Sequence, residues 1–153
     1  MARESKAIEE IIYKLSTLSG IRVYEQVMID KWNAYQFDYI GMLGTEDARE
    51  IVSLEDDSAF NNRGVLNFYL LVGAQVKKQN NGKANLRNVL ATNVEKIENN
   101  LSNFTPERYV SNYENTYFSP LQFVNSQAIT YNEDETKGIS LVQFRCFYYK
   151  ANS

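Results

Sequence analysis

A chain of 153 residues is of single-domain size, and a domain of that length typically buries roughly 70% of its unfolded surface, enough for a true core. A net charge of −3 denies it any overall pull toward nucleic acid or anionic membrane. The absence of histidine removes the commonest general base, the usual partner of Ser and Cys nucleophiles, and most catalytic zinc sites. The one cysteine, Cys146, excludes an intrachain disulfide and any multi-cysteine metal site, and fits a reducing compartment.

In chain order, residues 4 to 18 read as an amphipathic helix. Ile8, Ile11, Ile12, Leu15 and Leu18 recur at three- and four-residue spacing, and Gly20 supplies the stop. The opening MARESKAIEE lacks the apolar centre of a signal peptide, and no stretch reaches the ~18 apolar residues that span a bilayer, so a soluble, cytoplasmic protein is expected. IRVYEQVMI alternates weakly and begins a strand. YQFDYIGML, residues 35 to 43, alternates at Tyr35, Phe37 and Tyr39 and then turns apolar throughout, as a strand entering a buried sheet does. The polar run from 44 to 63 reads as a connection with at most one short strand near Ile51 to Leu54.

Val65 to Val76 is a long strand. Leu66, Phe68, Leu70, Val72, Ala74 and Val76 share one face, and Asn67, Tyr69, Leu71, Gly73 and Gln75 the other. A second helix spans 84 to 101, with Leu86, Val89 or Leu90, Val94, Ile97 and Leu101 as its stripe. Thr105-Pro106 ends the helical region, and ERYVSNYENTYFSP after it reads as loop or edge strand. Leu121 to Tyr131 and Ile139 to Tyr149 are two more strands, joined at NEDETKG as a hairpin. Each element has one apolar face to bury. The economical solution is an α+β fold in one domain over 1–153: a mostly antiparallel sheet with two amphipathic helices packed on one face.

The stretch YLLVGAQVKKQNNGKANL runs strand, Gly-Lys loop, helix, the order of many phosphate sites. A Walker loop needs two glycines four residues apart followed by Lys and then Ser or Thr; here Gly82-Lys83 precedes Ala84 and position 77 is Lys, so the segment reads as a plain connection. The acidic groups Glu46, Asp47, Glu50, Glu55, Asp56, Asp57 and Glu133, Asp134, Glu135 lack calcium-loop spacing and read as solvated loops. Cys146, among aromatics in mid-strand, reads as a small buried side chain rather than a nucleophile. No catalytic residue, cofactor site or metal site is assigned. Lys77, Lys78, Lys83 and Arg87 form the one local basic cluster, a candidate interface for phosphate or for an acidic partner surface. Tyr148 and Tyr149, with Tyr113, Tyr117 and Phe118, offer more aromatic surface than a small core absorbs, and so point to a subunit interface.

The whole order resembles the tail terminator (tail-completion) proteins of long-tailed bacteriophages. The resemblance lies in an amphipathic helix ending at Gly-Ile (SKAIEEIIYKLSTLSGI), a long strand into a second helix (GVLNFYLLVGAQVKK, ANLRNVLATNVEKIENNL) and a closing hairpin (PLQFVNSQAITY, GISLVQFRCFYYK). It implies a non-enzymatic virion protein of the tail or neck, assembled in the host cytoplasm. It further implies a homo-oligomer, a hexameric ring, that caps the tail tube protein, stops its polymerisation and meets a head-tail connector protein, while DNA passes through the lumen without specific binding. Such a ring needs two different faces and a head-to-tail contact that closes by rotation. Glu133, Asp134 and Glu135 would then face the lumen, repelling DNA phosphate, or face a partner. Head-tail connector subunits share the pattern and are the alternative; a small carboxylate-based ligand-binding or enzyme domain is the alternative from another class.

Overall fold

The computed structural model describes residues 3–43, 53–56, 63–77, 82–133 and 136–152. In chain order these form α1 (Arg3–Leu15), β1 (Arg22–Val27), a short 3-10 turn at Ile29–Lys31, β2 (Tyr39–Leu43), β3 (Ser53–Asp56), β4 (Arg63–Gln75), α2 (Gly82–Leu101), β5 (Tyr109–Val110), β6 (Glu114–Phe118), β7 (Gln122–Tyr131) and β8 (Lys137–Asn152). The fold is α+β with a mixed, mostly antiparallel sheet, in which, among the described residues, only β1 and β2 pair in parallel.

The frame of the sheet is the β4–β8 ladder, which pairs continuously from Arg63↔Tyr149 to Gln75↔Lys137. Each of these strands shares its other edge between two shorter ones. β2 and β3 lie end to end along β4, and β7 and β6 lie end to end along β8. β1 closes one side of the sheet and β5 the other.

Alternation along the two long strands divides the sheet into faces. The even-numbered residues of β4 and β8, including Leu66, Phe68, Leu70, Val72, Val142, Phe144 and Cys146, point toward the helices. They form one core with Ala7, Ile11 and Leu15 of α1 and Leu86, Leu90, Val94, Ile97 and Leu101 of α2. Burying each such large apolar side chain contributes about 1.5–3 kcal/mol, which is what holds both helices on this face. Of the two residues competing for the α2 stripe, Leu90 is the buried one and Val89 only half so.

Several expected boundaries move: β4 spans Arg63–Gln75 rather than 65–76, α2 begins at Gly82 rather than 84, and β8 spans Lys137–Asn152 rather than 139–149. α1 stops at Leu15 rather than 18: Ser16 and Thr17 hydroxyls donate to the carbonyls of Tyr13 and Lys14, and the chain turns through Gly20 at φ +78°. The strand expected from Tyr35 begins only at Tyr39. Tyr35 and Phe37 instead belong to a turn-rich segment that folds back over the far side of the sheet, so their alternation with Tyr39 is not strand periodicity. The short strand expected near 51–54 is β3 at Ser53–Asp56, with residues 51 and 52 outside the described set. The stretch expected as loop or edge strand, 107 to 119, contains β5 and β6.

Candidate functional site

The far face of the sheet, away from the helices, has two halves. The half nearest β1 is roofed by the segment between β1 and β2. Val27, Tyr39, Leu43, Leu71 and Ile139 are buried there beneath Tyr24, Trp32, Tyr35 and Phe37. The roof is an edge-and-tilt aromatic stack: Phe37–Tyr39 centroids are 4.9 Å apart, Tyr24–Tyr35 5.1 Å and Tyr35–Tyr39 5.2 Å. Its hydroxyls are occupied. Tyr39 donates to the Trp32 carbonyl at 2.8 Å, while Tyr35 accepts from the Met28 amide at 2.8 Å and Tyr24 from the Gln36 amide at 3.2 Å.

Burial, with Tyr35 and Tyr24 beside it, pushes the Tyr39 phenol above its usual range. A Cβ at Gly73 would collide with the Tyr39 and Phe37 rings, so the glycine is what lets the roof seat on β4. Asp38 ties the roof's end to the helical layer: its carboxylate accepts from the Gln75 amide at 2.9 Å and from Nδ2 of buried Asn93 on α2 at 3.1 Å.

The other half of the far face is open. Tyr117 of β6 and Phe147 and Tyr149 of β8 stand there at 42%, 44% and 46% exposure, with Tyr117 directly across the ladder from Tyr149 and their rings 6.4 Å apart. Two arginines lie on these rings. The Arg108 guanidinium sits 5.4 Å over Tyr117 and donates to its hydroxyl at 3.0 Å. The Arg145 guanidinium sits 5.8 Å over Phe147 and reaches Gln122 of β7 at 3.4 Å. Both arginines are exposed. Flat aromatic area bearing guanidinium groups is the composition of protein–protein contact centres, where Tyr, Phe and Arg are enriched.

This surface corrects part of the sequence reading. Tyr148 is only 3% exposed and faces the helices, because its parity on β8 is opposite to that of Tyr149; Phe118, at 9%, is buried with it. Neither is presented at the surface, whereas Tyr149, Tyr117 and the 84% exposed Tyr113 are. Arg108, Arg145 and Phe147 were not singled out by sequence. The signal that could find them is parity: once Tyr149 is placed outward, Phe147 and Arg145 follow at two-residue steps.

Of the basic cluster, only Lys77 and Arg87 have described side chains. Lys77 is exposed just beyond β4, and Arg87 is exposed on α2 at the rim of a groove of about 630 Å³ between α2 and β7. Lys78 lies outside the described residues, as does the side chain of Lys83 in the first turn of α2. The groove is lined by Leu90, Val94 and Glu98 of α2 and by Phe123, Ser126 and Ala128 of β7.

At the β7–β8 turn Glu133 is exposed, and Asp134 and Glu135 lie outside the described residues, as do Glu46, Asp47, Glu50 and Asp57. The turn is clasped at its base by Asn132. Its Oδ1 accepts from the amides of Thr136 and Lys137 at 2.8 and 3.0 Å, and its own amide donates to the Lys137 carbonyl at 3.0 Å. Cys146 is buried in the core, which pushes its thiol up to about 12 and leaves it protonated and inert at neutral pH. Among the described residues no three His, Cys, Asp or Glu side chains converge as a metal site, and no helix is long and apolar enough to cross a membrane.

No family model and no curated protein matches the sequence. Among solved structures, the chain is similar in fold to a chain in the virion of a native gene transfer agent particle. The two are 17% identical with a TM-score of 0.56, and the likeness covers 97% of this chain and 95% of that one.

Proposed function

We propose that this protein is a structural subunit of a phage-like virion, and within it a tail terminator: a ring that caps the tail tube, stops its growth and offers a face to the head connector. The observation that carries the reading is the whole-chain likeness in fold to a chain of a gene transfer agent virion, end to end in both directions. Two features of this chain support it. Its most distinctive surface is an open aromatic–arginine face rather than a cavity with converging reactive groups. Its element order, with a leading helix, a long strand into a second helix and a closing hairpin, is also the pattern in which the sequence resembles tail terminators.

The test is the mass of the purified protein by light scattering, followed by negative-stain imaging of the main peak. Rings of about six times the 17.7 kDa chain that stop the growth of tail tubes in a polymerisation assay are the expected result. Rings that bind head connectors but leave tube growth unaffected would assign the chain to the neck instead. A monomer that neither assembles alone nor binds tubes would overturn the virion reading.

A further inference from the structure

The open half of the far face has a counterpart on the other side of the sheet. The groove between α2 and β7 opens on the helix side, because Phe123 and Ser126, which line it, pair with Phe144 and Val142 of the helix-facing core. The sheet therefore separates groove from face, and a molecule cannot seat its own rings in its own groove. The groove floor is apolar, with Leu90 and Val94 buried and Phe123 half-buried. Its α2 wall carries two carboxylates, exposed Glu95 and half-buried Glu98, neighbours at three-residue spacing on one helix face. Arg87, the one cation among the described lining residues, lies eight positions before Glu95, roughly 12 Å away at helical rise. Lys96 is exposed beside Glu95 in the chain but does not line the groove.

We infer that the face formed by Arg108, Tyr117, Arg145, Phe147 and Tyr149 of one copy packs into the α2–β7 groove of a second copy. The half-exposed rings of the face cover the apolar floor, and its two guanidiniums reach the carboxylates of Glu95 and Glu98. Charge also selects the register. Turned end for end, the contact would set the face arginines against Arg87, and two faces laid together would set arginine against arginine. The contact is therefore heterologous, the far side of one sheet meeting the helix side of the next. Each copy has one face and one groove to offer, and a head-to-tail series of such contacts closes into a ring if the rotation permits. The inference deepens the ring reading and rests on it.

The experiment uses two full-length variants. One reverses the face, R108E/R145E; the other reverses the groove wall, E95K/E98K. Each is checked for native circular dichroism, and a double variant that misfolds is replaced by the single reversal R145E or E98K. Association is then followed by sedimentation for wild type, for each variant alone and for an equimolar mixture. In the first variant face and groove wall are both acidic, and in the second both are basic, so neither alone can pair. Each is expected to raise the dissociation constant at least about 30-fold. In the mixture each face meets a groove of opposite sign, so association returns in alternating order.

Rings that persist in either variant alone would overturn this contact and leave the ring reading standing. Loss in each variant without recovery on mixing would overturn the face-to-groove pairing. A wild type and a mixture that both stay monomeric would overturn the contact and the solution ring together.

Discussion

The two halves of the far face are built from the same two strands, yet one is sealed and the other is not. Over Leu71 and Ile139, Tyr24 of β1 joins Trp32, Tyr35 and Phe37 of the following segment in a roof of four aromatic side chains, and both of its hydroxyls, on Tyr24 and Tyr35, accept hydrogen bonds. Further along the same ladder, Phe147, beneath the Arg145 guanidinium, and Tyr149 remain nearly half exposed. Aromatic content alone therefore does not distinguish core from contact surface. What does is whether a covering segment reaches the rings and whether their polar atoms are turned inward or left to solvent. The sealed half is a device for stability, and the open half is surface held ready for something else.

The sharpest way to break this comparison is to truncate one ring on each side. Tyr39→Ala removes the fully buried ring beneath the roof and should cost about 3–5 kcal/mol in urea unfolding, against under about 1 kcal/mol for Tyr149→Ser on the open half. Equal costs would mean the open half is packed as tightly as the sealed one. Next in size is Asp38→Ala, which strands the Gln75 amide and the buried Asn93 amide and should cost about 1–3 kcal/mol, with faster hydrogen exchange at Gln75. Unchanged exchange there would show that the roof does not depend on this tie.

Alkaline titration then compares the two sides of the sheet. Cys146 on the helix side and Tyr39 in the roof both have pKa values raised by burial, so the folded state holds their protons after the unfolded chain has begun to release them. The stability from Cys146 is fully present below the unfolded thiol value of about 8.5 and is lost as pH rises toward about 12, amounting to roughly 1–2 kcal/mol by pH 10. Tyr39 adds its loss only above about pH 10. Cys146→Ala should flatten the thermal-melting curve between pH 8.5 and 10 and leave the steeper fall above it. A flat wild-type profile up to pH 10 would refute the burial of the thiol.

The smallest expected effect belongs to Thr116, fully buried on β6 with no hydrogen-bond partner for its hydroxyl among the described residues. Thr116→Val should be neutral or stabilising by up to about 1 kcal/mol. A clear loss of stability would reveal a partner for that oxygen.

Much of the frame is legible in the residues. The alternation from Leu66 to Ala74 states both that β4 is long and which side meets the helices, and the Leu86 to Leu101 stripe places α2. The roof is not legible in that way. Tyr35, Phe37 and Tyr39 alternate as a strand would, and only the tertiary requirement to cover Leu71 and Ile139 decides that the first two fold over instead. The candidate face was half legible for a related reason. Tyr148 and Tyr149 are chemically alike and adjacent, and which one points outward depends on the pairing of β8 with β4, a relation between residues far apart in the chain.

That same pairing governs when the open face comes into being. β4 and β8 are joined across roughly sixty to ninety positions of chain, with a helix and three strands between them, so their ladder closes only after a large loop-entropy cost has been met. Local units such as α2 and the β7–β8 hairpin can form earlier. Arg145, Phe147 and Tyr149 are set side by side on a supported surface only once the last long strand has docked against β4. The hairpin can thus form before the face that its second strand completes, and the aromatic–arginine surface exists only in the fully folded chain.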